Sequence, residues 1–136
     1  MSLLGLALNG QSINGWEIMD NASFKSVYVD EFEAETDLLL LTDDLKKRSG
    51  EHLTISGYYV PLMDDDVMIL SKFSFANCFF CGGAGLESVV QIELKDDIPY
   101  NLEMDQKIKV SGRIYFNDSD WDKLSFILKD ATLMEL

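Results

Sequence analysis

The chain has 136 residues, close to the ~150 of one ordinary domain and long enough to bury a core. Its residues are 47% apolar and 26% charged, which excludes a disordered acidic tail, and no run of ~18 apolar residues is present to span a bilayer. Eleven Lys and Arg against 24 Asp and Glu give a formal charge of −13, which disfavours DNA or RNA as a partner, because sequence-independent binding of phosphate needs clustered cations.

Residues 1–15 form an N-terminal arm, and residues 16–136 are expected to be a single domain. Leu3 to Leu8 is a short apolar stretch running into Asn9-Gly10-Gln11-Ser12. This pattern fits the tail of a signal-peptide apolar region cut short at its start, and so predicts a periplasmic or secreted protein. The plainer alternative is an amphipathic arm packed on the domain.

Phe24 to Val29 is partly alternating and rich in β-branched and aromatic residues, which predicts a strand. Leu38 to Leu41 is a short apolar run. Thr42 then has the chemistry of a helix N-cap, with acids in the first turn, bases through Arg48, and Gly50 placed to stop the helix. Glu51 to Pro61 alternates around an internal Gly57, the mark of a bulge or a sharply coiled barrel strand. Asp64-Asp65-Asp66 predicts an acidic hairpin tip, and Val67 to Phe73 the returning strand. Ser74 to Ser88 holds Cys78, Cys81, Gly82, Gly83 and Gly85. At ~15 residues it exceeds an ordinary connection, which points to function or to a covalent staple.

Val89 to Leu94 is the next strand, followed by a polar connection broken at Pro99. Lys107 to Phe116 alternates cleanly and repeats the internal glycine as Gly112, while Asp118 or Ser119 is placed to cap one helical turn through Leu124. Phe126 to Leu136 closes the sheet with a bend near Asp130-Ala131. Five strands coiled by glycines predict an all-β, five-stranded, OB-like Greek-key barrel, with one or two short helices and a strand and helix added at its N-terminal side.

The segments Ile55 to Leu62, Leu70 to Phe73, Cys78-Phe79-Phe80-Cys81-Gly82-Gly83-Ala84-Gly85-Leu86-Glu87-Ser88-Val89 and Val110-Ser111-Gly112 resemble a family of small exported bacterial proteins of unknown function, common in Bacteroidetes. The resemblance runs from about Trp16 to the end, and its specific part is the cysteine loop. This chain has Leu86 where the family pattern has proline. The resemblance implies a fold and export, and no chemistry.

Cys78 and Cys81 are the only cysteines. In an oxidising compartment they form a small disulfide; in a reducing one they are thiols. A structural zinc site needs four ligands, and His52 is the only histidine with no second CxxC, so zinc would require a carboxylate or a second subunit's pair. A redox pair ordinarily sits at a helix N-terminus in a βαβ setting, which this pattern lacks. The three glycines read as a tight backbone turn, since no Lys-Ser/Thr follows to make a phosphate cradle. Asp118, Asp120 and Asp122 have the spacing of a calcium loop, yet Lys123 and Lys129 occupy the positions that need glycine and glutamate. His52 has no nucleophile beside it in sequence. Phe73, Phe75, Phe79 and Phe80, with Glu87, are the candidate ligand-binding residues, weighed against packing of the loop onto the core.

These features predict a non-enzymatic binding or accessory module of the cell envelope with loop 74–88 as its site. Its partners would be proteins, metal ions or uncharged sugars, with no cofactor, or zinc as the alternative. A thiol or metal enzyme using Cys78 and Cys81 is the second reading, and a structural homo-oligomer the third. Acids cluster at 43–44, 64–66, 96–97 and 118–122, whereas the stretch from Phe73 to Ser88 has a single acid, Glu87, with Lys72 just before it.

Overall fold

In a computed structural model, the described residues are 15–61, 68–74, 85–99 and 101–135. Helix α1 (Gly15–Asp20) leads to an antiparallel hairpin of β1 (Phe24–Val29) and β2 (Ala34–Leu39), and then to helix α2 (Asp43–Arg48). Five further strands follow: β3 (His52–Pro61), β4 (Met68–Ser71), β5 (Val89–Leu94), β6 (Lys107–Phe116) and β7 (Phe126–Glu135). They close a barrel in the order β3-β4-β5-β7-β6, with β6 pairing back onto β3. All neighbours are antiparallel except β5 and β7, which run parallel through Gln91↔Ile127 and Ile92↔Leu128. This is the expected OB-like arrangement, with the hairpin and α2 as the N-terminal addition.

Alternation fixes which face of each strand is buried. On β3, Leu53, Ile55, Gly57 and Tyr59 are buried, while His52, Thr54 and Ser56 are exposed. Inside the barrel Met68, Leu70, Val90, Ile92, Val110 and Leu128 are sealed from solvent. Gly57 is required by close approach, because a Cβ there would stand 2.6 Å from the Ser71 carbonyl oxygen. The predicted bend in the last strand is present: Asp130 takes a left-handed φ of 52°, and the β6–β7 register shifts between Ser111 and Arg113.

α2 forms as expected, with Thr42 Oγ1 accepting from the Leu45 N–H at 3.2 Å and Gly50 following at φ 87°. Two elements go beyond the sequence reading. β2 extends from Ala34 rather than being only an apolar run near Leu38, because register with β1 imposes the extended backbone. α1 sends Trp16 and Met19 into the main core, and Trp16 Nε1 donates to the Ser56 carbonyl at 2.8 Å.

The helical turn expected at 118–124 does not form. Asn117 organises that connection instead. Its Oδ1 accepts from the N–H groups of Ser119 and Asp120, and its Nδ2 lies within hydrogen-bonding distance of the carbonyls of Asp120, Lys123 and Leu124. An amide offers an accepting oxygen and two N–H donors, and so satisfies this compact turn more fully than a carboxylate at 118, which only accepts, or a hydroxyl at 119, which has one donor. Leu124 packs on Val60, Ile69 and Val89 on the outside of the barrel, and this cover explains why Gln91, read as an outward polar position, is buried. Gln91 Oε1 accepts from the Leu124 N–H at 3.2 Å.

Candidate functional site

The loop between β4 and β5 leaves the barrel from a fixed stem. Ser71 and Ser88 are buried, at 0% and 1% exposure, so each hydroxyl must find a partner or carry the cost of an unsatisfied group. Ser71 Oγ donates to the Phe73 carbonyl at 2.7 Å and accepts from the Phe73 N–H. Ser88 Oγ donates to the Gly85 carbonyl at 2.6 Å. The Lys72 N–H donates to the Ser88 carbonyl at 2.8 Å, tying the two arms together.

Leu86–Ser88 is a single 3-10 turn entering β5. Helix α1 braces the stem from outside, with Lys72 Nζ 2.6 Å from Asp20 Oδ2.

Of the candidate residues, two belong to this stem. Phe73 is 40% exposed, with Lys72 Nζ 5.5 Å from its ring centroid. Glu87 is half-buried and folds its carboxylate over residue 85, where a Cβ would collide with it. Phe75, Cys78, Phe79, Phe80, Cys81, Gly82 and Gly83 lie outside the described residues, as do the acidic tip at Asp64 to Asp66 and the arm through residue 14.

The remaining polar residues go elsewhere. His52 has a serine partner that sequence did not show: its Nε2 is 3.1 Å from Ser111 Oγ, to which Thr54 Oγ1 also donates at 3.4 Å. The signal was the outward register, His52 opposite Arg113 and Thr54 opposite Ser111. Among the described residues no carboxylate hydrogen-bonds this imidazole, so the pair lacks the third group that orients a general base. Asp120 Oδ1 accepts from the Asp122 N–H at 3.0 Å, as befits a turn. Among the described residues no three His, Cys, Asp or Glu side chains meet in a metal-holding group.

Charge is distributed unevenly over the barrel. Lys107, Lys109 and Arg113 alternate along β6, with Lys129 of β7 opposite Arg113 and His52 of β3 on its other side. Lys129 Nζ lies 5.3 Å from the Tyr115 ring centroid. Cations are thus concentrated along β6 and at Lys129 beside it, with Glu135 opposite Lys109, while the 117–125 connection carries Asp118, Asp120 and Asp122.

No model of a known protein family matches the chain, and none of the curated proteins matches it. Among solved structures the chain is similar to the crystal structure of a DUF3299 family protein from Pseudomonas aeruginosa PAO1. The TM-score is 0.53 at 13% identity, over 91% of this chain and 95% of that one. The likeness spans nearly the whole of both chains and concerns the fold.

Proposed function

We propose that this protein is a non-enzymatic binding module of the cell envelope whose working part is the loop 74–88 carrying Cys78 and Cys81. The observation behind this reading is the pinned stem. Two buried serines, a cross-arm hydrogen bond and a helix brace hold both ends of a long loop against a closed barrel. Rigid scaffolds that present one long loop are a common way to build a binding surface. The loop's sequence adds aromatic residues, little charge and a cysteine pair suited to a disulfide in an oxidising compartment. The apolar stretch at Leu3 to Leu8 supports the envelope assignment.

Thiol titration of the native protein before and after reduction, with elemental analysis for zinc, tests this reading. The expected result is no free thiol before reduction, two after it, and no bound metal. Reduction should cost less stability than the ~3 kcal/mol of a ~15-residue ring, since so short a loop constrains the unfolded chain little. Stoichiometric zinc, or thiols that cycle with a dithiol reductant, would replace this reading with a metal or redox role for the pair.

A further inference from the structure

A cleft of about 160 Å³ lies between the tip of the β1–β2 hairpin and the 117–125 connection, with Leu86 at its edge. Two large aromatics line it. Phe32 comes from the hairpin turn and Trp121 from the connection, and they remain 48% and 38% exposed. Their ring centroids are 6.1 Å apart at 77°, edge to face.

Both walls are held in place. The Phe32 N–H donates to the Val29 carbonyl at 3.1 Å, and the connection is fixed by Asn117 and by Leu124 against the barrel. Two rings kept half in water by a preformed turn are unfavourable in the free protein and suit a surface that stacks on something.

The polar groups around the rings decide what that is. Asp37, Asp118 and Asp120 line the cleft with one cation, Lys123, whose Nζ is 3.8 Å from Glu93 Oε2. The carboxylates of Asp37 and Asp118 make no hydrogen bond or ion pair with a described residue. A flat guanidinium both stacks on aromatic faces and donates to carboxylates, and a molecule of charge −13 draws cations toward it. We infer that the cleft receives an arginine side chain from a basic segment of a partner protein. The cleft meets the 74–88 loop at Leu86, and none of its lining residues is a cysteine.

The test is calorimetric titration of the full chain with a capped tetra-arginine peptide at about 0.05 and about 0.3 M NaCl. Saturable binding that weakens with salt is expected. Trp121→Ala and Phe32→Leu should each weaken it about tenfold at unchanged thermal stability, and Asp37→Asn and Asp118→Asn several-fold. Aromatic variants that bind as tightly as the parent would reduce the association to general attraction by an acidic surface and overturn the inference. So would salt-independent binding of maltohexaose with none of the peptide, which would make the cleft a sugar site.

Discussion

Gly112 faces the β7 bulge, and a Cβ there would stand 2.8 Å from the Lys129 carbonyl oxygen, 2.9 Å from Leu128 Cγ and 3.1 Å from the Ala131 Cα. Two of those three atoms belong to backbone that cannot step aside without breaking the β6–β7 ladder. Gly112→Ala should therefore destabilise the protein by about 1–3 kcal/mol, the usual cost of forcing atoms into a filled interior. Denaturant unfolding gives the value, and an unchanged midpoint would mean that the bulge can relax. This requirement was legible in sequence, since a glycine inside an alternating strand has few other uses. The partners of His52 and Gln91 were not. Ser111 lies on another strand, and the burial of Gln91 depends on a loop that crosses over it.

At the level of elements, β3, β6 and α2 were legible because each carries a complete local signal: alternation over ten residues, or a cap followed by ordered charge. β2 reads Ala-Glu-Thr-Asp-Leu-Leu and has little strand preference of its own; pairing to β1 makes it a strand. α1 is six residues long and would not persist alone. Its stability comes from Trp16, which is 5% exposed and bonded to Ser56. Trp16→Ala should cost about 3–5 kcal/mol and loosen the brace on the cysteine-loop stem. Thermal unfolding reads the first effect, and faster proteolysis within 72–88 the second; a loss below about 1 kcal/mol would show that α1 is an appendage. As for the sites, the loop length and its cysteines announced themselves, whereas the Phe32–Trp121 cleft is made by residues far apart in sequence that meet through the hairpin's packing.

For the whole molecule, the net charge of −13 is a mutual repulsion that salt should relieve. The attractive pairs are exposed or partly exposed, among them Arg48 with Asp44 and Glu51, and such pairs contribute little. Raising NaCl from about 0.01 to about 0.15 M shortens the screening length from ~30 to ~8 Å. This should stabilise the protein by about 1 kcal/mol, or roughly 3–5 °C in Tm for a chain of this size. A Tm that falls with NaCl would mean that attraction between the cations along β6 and the acidic connections outweighs repulsion. The strand order also bears on how the protein is made. β7 is the last of the five strands in chain order, and it alone joins β5 to β6. Between the end of β3 at Pro61 and the end of β7 at Glu135 lie 135 − 61 = 74 residues, about 4–15 s of synthesis at ~5–20 residues per second. Throughout that interval the nascent chain exposes two unpaired strand edges that the finished barrel has none of. Ribosome-bound intermediates of this protein are therefore the species most exposed to aggregation and most in need of a chaperone.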